Sequence, residues 1–453
     1  MAFPRMKPLQ SILTFAGALM LAGCVRFSSQ PISPESSGAG FDARSLDSSE
    51  LRSVLKKHGI PLESRWSLTQ LAAAASVLNP DLAVLRAKVN IAEAALQTSG
   101  ESPNPVFSLK PGYNSSSTGM SPWIIEPGLD ITIETGGKRD ARRAAAAARV
   151  RTARLEYLAA SWKSRGEVRR ALLAIHAAQA TRGQYQSQET AQAEATRLLE
   201  SRFKDGAATA QDVAAARIPL SLTRVSKYDT ELLAVKSRGQ LANAVGVPAS
   251  AFSGVAFDFS GVTILPAAST AKAMRRHAIT HRADILAALS DYAASEESLR
   301  LEVAKQYPDV KLGPGYKLDQ TDNKWTVGIG FELPLLHQHQ GAIAEAEARR
   351  AEAAARFMAV QARAMGEIDI ALAVYRAARS KAEAAGSLAD DVKTQTAAAA
   401  QLNADGETSK LEVTQRRVEQ GAADLTREQA RLQAYEAAGA LEDALETPAA
   451  FWK

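Results

Sequence analysis

One stretch of this chain occurs twice. Phe203-Lys-Asp-Gly-Ala-Ala-Thr-Ala-Gln-Asp-Val-Ala-Ala-Ala-Arg217 returns as Asn403-Ala-Asp-Gly-Glu-Thr-Ser-Lys-Leu-Glu-Val-Thr-Gln-Arg-Arg417. Asp205, Gly206, Val213 and Arg217 come back 200 positions later as Asp405, Gly406, Val413 and Arg417, and Asp212 comes back as Glu412. In each copy a glycine separates two long Ala-rich helical patterns. Glycine after a helix supplies the left-handed turn that reverses a chain. Each copy therefore reads as the bend of a long helical hairpin. A 453-residue chain would ordinarily suggest about three domains, but a repeat this long argues for two halves of one interlocked body.

A second repeat flanks the first. Asn79-Pro80-Asp81 opens a helix with proline in its first turn. Leu82, Leu85, Val89, Ala92 and Leu96 then form one apolar stripe. At an offset of 203, Asp284, Ile285, Tyr292 and Leu299 match Asp81, Leu82, Val89 and Leu96. After each helix the period changes from 3.6 to 2. Leu129, Ile131 and Ile133 alternate with Asp130, Thr132 and Glu134. Trp325, Val327, Ile329, Phe331 and Leu333 alternate with Thr326, Gly328, Gly330 and Glu332. The stretches 107–113 and 310–316 alternate less cleanly. With polar turn material at Asn114 to Pro122 and Asp319 to Asn323, each half carries one β-hairpin. Strands of about ten residues are long enough to cross a bilayer.

Long helices follow each hairpin. Gly136 to Phe203 is 68 residues, or about 100 Å if continuous. Its counterpart runs from Gln338 to Asn403. Return helices cover Ala207 to Val245 and Glu407 to Leu445. In the last, Leu411, Val418, Leu425 and Leu432 fall every seven residues, a coiled-coil seam. Helices of this length need partners along their length. Four strands cannot close a barrel, and open edges are not tolerated in lipid. If these strands lie in a membrane, the chain oligomerises.

The N-terminus carries its own signal. Arg5 and Lys7 precede an apolar run, Ile12 to Leu21, too short for a membrane span. Leu21-Ala22-Gly23-Cys24 resembles the lipobox of bacterial lipoproteins. The resemblance implies cleavage before Cys24 and acylation of that residue, the chain's single cysteine. Val25 rather than Asp after it fits sorting to the outer membrane. Loss of Arg5 and Lys7 takes the net charge from +5 to +3, a balance that does not indicate a nucleic-acid partner. The boundaries are then a signal segment over 1–23, a tether and short helix over 24–65, and repeat 1 over 66–250, with hairpin 104–134 and bend 203–206. A linker over 251–269 leads to repeat 2 over 270–447, with hairpin 308–335 and bend 403–406. Residues 27–41, rich in Ser, Pro and Gly, read as an extended tether. Asp47-Ser-Ser-Glu50 and Ser67-Leu-Thr-Gln70 are helix-start signatures, and Gly59 is a stop.

Two repeats of helix, β-hairpin and long helical hairpin with Asp-Gly at the bend resemble the TolC family of outer-membrane efflux channels. Glu134-Thr-Gly-Gly-Lys-Arg139 and Leu333-Pro-Leu-Leu-His-Gln-His-Gln-Gly-Ala-Ile-Ala-Glu-Ala346 resemble its cobalt–zinc–cadmium resistance branch. The resemblance implies a mostly α fold with a small β part. It implies a homotrimer in which four strands per chain complete a transmembrane β-barrel above a coiled-coil α-barrel. It also implies a passive channel without a cofactor, served by an inner-membrane transporter of the resistance-nodulation-division type and a periplasmic adaptor. The adaptor would meet the bends Asp205-Gly206 and Asp405-Gly406. Acids just after the second bend form the constriction in such channels, so Asp212, Glu412 and Arg417 are the gate candidates. Gln415 stands where a further acid is expected. The alternative reading of Glu412 is an i,i+4 pair with Arg416 on a solvated face.

Other features have competing readings. Gly136-Gly-Lys-Arg139 lacks the spacing of a phosphate loop, and no catalytic constellation stands out. His277 and His281 are four apart and share a helix face. His337 and His339 stand in a turn at the barrel's periplasmic mouth, where a trimer would gather six imidazoles. For both pairs the alternative to a metal role is solvated or hydrogen-bonded histidine. Lys138, Arg139, Arg142, Arg143, Arg149, Arg151 and Arg154 against Asp140 form a basic helix, read as facing phospholipid or water rather than nucleic acid. Trp123 and Trp325 suit either an interfacial girdle or strand packing. The channel's cargo is heavy-metal cations, or drugs or a secreted protein. The remaining alternative is a non-conducting lipid-anchored coiled coil.

Overall fold

The computed structural model describes residues 26–61, 63–116, 121–267 and 270–448. Cys24, the 1–23 segment and the loop centre 117–120 lie outside the described residues, as do residues 268–269 at the end of the expected linker. The chain divides into two units, one ending at Arg44 and one beginning at Ser45.

In the first unit the expected extended tether is corrected. Pro34–Asp42 is a helix, α1, with no buried residue. Ser33 Oγ accepts the Ser36 N–H, Pro34 occupies the first turn and Glu35 complements the helix dipole. Local capping chemistry here overrides a composition that reads as coil.

The second unit begins with α2 (Ser49–Lys57), capped by Ser48 rather than Asp47 and stopped at Gly59, whose φ is +65°. After strand β1 (Arg65–Trp66) come α3 (Leu68–Leu78), with the Ser67/Gln70 capping box formed, and α4 (Pro80–Ser99), whose cap Asn79 accepts the Asp81 and Leu82 N–H groups. Strands β2 (Val106–Tyr113) and β3 (Trp123–Ile133) lead to α5 (Lys138–Lys204) and its return helix α6 (Ala210–Val245). Strand β4 (Ala256–Phe257) precedes α7 (Ala271–His281), α8 (Ala283–Ala304), β5 (Val310–Asp319) and β6 (Asp322–Phe331), and α9 (Gln340–Ala404) and α10 (Lys410–Leu445) complete the second half. Helices α5 and α9, at 67 and 65 residues, are each about 100 Å long.

The hydrophobic core sits at mid-length of these long helices. Leu172 and Ile175 of α5 pack with Leu71, Leu241 and Phe257, while Ile368, Leu372 and Tyr375 of α9 pack with Met274 and Leu441. Full burial of each such side chain contributes about 1.5–3 kcal/mol. An ionic cluster joins the halves at this waist. Arg169 and Arg170 of α5 donate to Asp443 of α10 at 2.8 and 2.7 Å, and Arg165 pairs with Glu442 at 2.7 Å. Gly439 leaves room for it: a β-carbon there would lie 1.1 Å from Arg169 Nη1. On either side of the waist the helices become paired arms with Ala-rich seams such as Ala382, Ala385 and Ala430. Leu411 and Leu432 of the heptad seam are buried.

Three expectations change. Residues 251–269 are not a plain linker: β4 pairs in parallel with β1, and Phe252, Phe257 and Val262 enter the core. The second hairpin has no Asp319–Asn323 loop. Asp319 pairs with Asp322, leaving a two-residue turn with Gln320 at φ +61°. Strand β6 ends at Phe331 rather than Leu333, because Pro334 follows and lacks a ladder N–H.

Candidate functional site

The two hairpins are not separate. They join through β3 and β5 into one antiparallel sheet of order β2-β3-β5-β6. Residues opposite each other in such a ladder share a face. Continuous pairing puts on one face Phe107, Leu109 and Tyr113 of β2, Trp123, Ile125 and Leu129 of β3, Leu312, Tyr316 and Leu318 of β5, and Trp325, Val327, Ile329 and Phe331 of β6. That face is apolar across all four strands apart from Asn323 near the turn. Tyr113 packs edge-on against Trp123 at 5.2 Å, and Tyr316 against Trp325 at 5.0 Å, at the loop end of each hairpin. The aromatic placement at the loop end fits both readings of the two tryptophans.

The other face is polar and small. It carries Ser108, Thr132 and Thr326, glycines 112, 128, 313, 315, 328 and 330, and eight charges, with Val106 and Ile124 its two apolar members. Lys110, Lys311, Lys317 and Lys324 equal Glu126, Asp130, Asp319 and Asp322 in number, so this face has no net charge, although only Lys110 stands directly opposite an acid, Glu126. The glycines are needed here: a β-carbon on Gly315 would lie 2.9 Å from Thr326 Oγ1, and one on Gly128 would lie 3.0 Å from Ser108 Oγ. Strands β2 and β6 leave both sheet edges unpaired within the chain, and every residue of β6 is exposed.

At the base of the sheet the basic start of α5 is engaged within the chain at Lys138 and Arg142, while Arg139, Arg143, Arg149, Arg151 and Arg154 stay exposed, as a solvated helix requires. Lys138 is buried and pairs with Asp309 at 2.6 Å. Thr135 N–H donates to the same carboxylate at 3.1 Å. Arg142 is bidentate to Glu134, at 2.7 and 3.0 Å, and also donates to the Ser99 carbonyl. Arg139 donates to the Gly100 carbonyl, Arg149 to Ser298, and Arg154 pairs with Glu93. The Arg142 hydrogen bond, against burial, holds Glu134 below the usual carboxylate range. Burial would raise Asp309, but its bonds from Lys138 and Thr135 outweigh that and lower it. Apart from Glu134, the partners lie far away in sequence, so charge count alone could not reveal them.

This network walls a cleft of about 870 Å³ on the polar side of the sheet, lined by Glu134, Lys138, Asp309, Lys311, Glu332, His337 and His339. The two histidine rings meet edge-on at 5.7 Å. His277 and His281 stack at 4.1 Å, with His277 Nε2 on Thr447 Oγ1 at 2.8 Å. Burial, and then its stacked partner, lowers the His277 pKa. Among the described residues, no three or more His, Cys, Asp or Glu side chains converge to hold a metal ion.

The helical bends form as the repeat requires. Gly206 and Gly406 adopt φ +73° and +79°, and Thr209 and Ser409 cap the return helices. Asp212 closes a capping box, accepting the Thr209 N–H at 2.8 Å and its hydroxyl at 2.7 Å, and these bonds lower its pKa. Glu412 accepts the Thr408 hydroxyl. It does not pair with Arg416, which binds Glu419 at 2.9 Å instead. Arg217 pairs with Glu200 at 2.6 Å. Its repeat mate Arg417 has Ala400 at the corresponding place and forms no ion pair among the described residues. The gate candidates are thus brought together at one tip per repeat, and Asp212 is committed to its cap.

Among the described residues no single helix is long and apolar enough to cross a membrane. The chain matches the profile described as outer membrane efflux protein over residues 71–247 and 275–446, one segment per repeat. Among solved structures it resembles the outer membrane protein VceC from Vibrio cholerae, with a TM-score of 0.67 and 18% identity over 85% of this chain and 97% of that one. CusC, a structure described for transmembrane channel formation, gives 0.65 and 17% over 83% and 91%. The open-state outer membrane channel MtrE of Neisseria gonorrhoeae gives 0.66 and 14% over 84% and 89%. No curated protein matched. At these identities the structures establish the fold, while the profile spans most of the chain. The two-faced sheet, the paired helical arms and both profile segments lead to one conclusion: this chain belongs to the outer membrane efflux protein family, whose members are transport channels and not enzymes.

Proposed function

We propose that the chain is the exit duct of a tripartite efflux system. Three copies complete a twelve-stranded barrel above a helical tunnel. An adaptor docks at the Asp205-Gly206 and Asp405-Gly406 bends, and an inner-membrane transporter of the resistance-nodulation-division type supplies energy and chooses the cargo. The observation that carries this reading is the sheet: one face apolar but for Asn323, the other mostly polar, both edges unpaired. Such a sheet is tolerated in lipid only when closed by further strands. Acylated Cys24 anchors each copy to the outer membrane. Glu412 lines the periplasmic constriction, where Arg417, without an ion pair among the described residues, reaches a neighbouring copy. Single-channel recording tests the gate. Glu412→Gln should weaken cation selectivity and block by multivalent cations, and identical behaviour of variant and parent would remove Glu412 from the constriction.

Heavy-metal cations are the proposed cargo. The support is the resemblance of residues 134–139 and 333–346 to the metal-resistance branch, together with His337 and His339 on the polar cleft. The balanced charge of the polar face favours a second reading, export of drugs or a secreted protein, because such a wall gives cations no preference. A deletion strain separates the two: metal hypersensitivity with unchanged drug tolerance supports the first, and the reverse supports the second.

A further inference from the structure

Leu335 and Leu336 are 82% and 99% exposed, and Leu333 before them is 61% exposed. A contiguous apolar tip of this kind on a folded protein marks a contact surface. Its counterpart in repeat 1 does not exist. There β3 connects to α5 through Glu134 to Gly137, whereas β6 connects to α9 through Glu332 to His339, four residues more. The extra residues are held in a defined shape. Leu335 N–H donates to the Leu333 carbonyl at 2.8 Å, closing a three-residue turn centred on Pro334, and His339 ends the segment at φ +59°.

The segment is also sorted by side. Glu332, Pro334, His337 and His339 line the polar cleft, while none of the three leucines does. Leu333 continues the alternation of Ile329 and Phe331, so the tip extends the apolar face of the sheet below its last ladder pair, Val310 with Phe331. An apolar edge continuous with the membrane face, backed by polar and titratable groups, has the layout of an interfacial anchor.

We infer that Leu335 and Leu336 form a finger inserted into the periplasmic leaflet of the outer membrane, gripping acyl chains at the foot of each barrel segment. This inference rests on the channel reading. The test uses the full chain reconstituted in phosphatidylethanolamine and phosphatidylglycerol vesicles, with nitroxide labels introduced through Leu336→Cys and, separately, Leu335→Cys. Signal from the parent protein, which holds Cys24, is subtracted. Val327→Cys on the apolar face and Lys204→Cys by the bend serve as lipid and water references. The labels at 335 and 336 should collide with oxygen as the Val327 label does, and several-fold less than the Lys204 label with a water-soluble nickel chelate. Chelate access equal to that at Lys204 overturns the inference. Exclusion of both relaxants also overturns it, since the tip would then be packed against a neighbouring copy. If the Val327 label itself reports water, the channel reading fails and takes the finger with it; a lipid-exposed Val327 with a wet 336 rejects the finger alone.

Discussion

Asn79 and Arg282 hold equivalent helix ends by different chemistry: Asn79 Nδ2 donates to the Ala244 carbonyl at 2.9 Å, and Arg282 Nη1 donates to the Ala444 carbonyl at 2.8 Å. Each residue sits between two helices of its repeat and binds the end of the returning one. Asn79 also caps α4 with its side chain, whereas Arg282 makes no such cap and pairs with Asp284 and Glu367. Arg282→Ala should cost about 2–4 kcal/mol, since it strands a buried carbonyl and two carboxylates. Arg282→Asn should lose less than half of that, because asparagine supplies the cap that Arg282 does not make and keeps the carbonyl bond. Thermal unfolding of both variants in detergent measures the difference.

Two glycines with left-handed backbones should respond unequally to the same substitution. Gly206 at φ +73° has open space around it, so Gly206→Ala meets only backbone strain, about 1–2 kcal/mol. At Gly246, φ +86°, a β-carbon would lie 2.6 Å from the Leu78 carbonyl oxygen and 2.8 Å from Asn79 Cα. Gly246→Ala should add a clash with backbone that cannot yield, and lower the melting temperature well beyond Gly206→Ala.

Glu446 occupies the place in repeat 2 that Gly246 holds in repeat 1, at φ +48°, and accepts the Ala283 N–H at 2.7 Å. Burial raises its pKa above the ordinary 4.5, despite the bond from Ala283. A raised carboxyl pKa makes its contribution fullest below the unfolded value, and that contribution is lost as pH rises through the folded value. Glu446→Gln keeps the acceptor without the charge. The variant should match the parent below pH 4.5 and melt at a higher temperature than the parent at neutral pH. A constant gap across the titration would show that ionisation of this group is not responsible.

Lys138 and Asp309 test the junction between sheet and helix. Asp309→Asn leaves the buried Lys138 ammonium without its carboxylate and should destabilise by about 1–3 kcal/mol. Adding Lys138→Met removes the stranded charge, so the double variant should recover part of the loss. Additive losses in the double-mutant cycle would mean that the two side chains do not act as a pair.

The bends were readable in the sequence because their chemistry is local. Asp-Gly followed by Thr209 or Ser409 states the turn and the next cap within a few residues. The heptad of α10 and the stripe of α4 were readable for the same reason. The joining of β3 to β5 was not, since nothing near Ile125 announces Leu318 as its neighbour. Prolines 111, 127 and 314 on the apolar face and glycines on the polar one blurred the alternation that would have signalled it. The partners of the α5 arginines were unreadable for a related reason: Ser99, Glu93 and Ser298 stand on other helices. The short parallel pairing of Arg65 with Ala256 is too brief to leave any periodic trace.

The unpaired rims of β2 and β6 impose a timetable on biogenesis. A solitary chain entering the bilayer would carry two rows of naked amide and carbonyl groups into hydrocarbon, at several kcal/mol for each group left unsatisfied. For the proposed trimer, insertion before assembly is therefore closed. Its chains must find one another while the sheet is still in water or at the headgroups, and cross into lipid together. The rate of membrane entry should then climb more steeply than linearly with the concentration of newly exported chains, so that scarcity of subunits delays maturation rather than yielding a smaller pore.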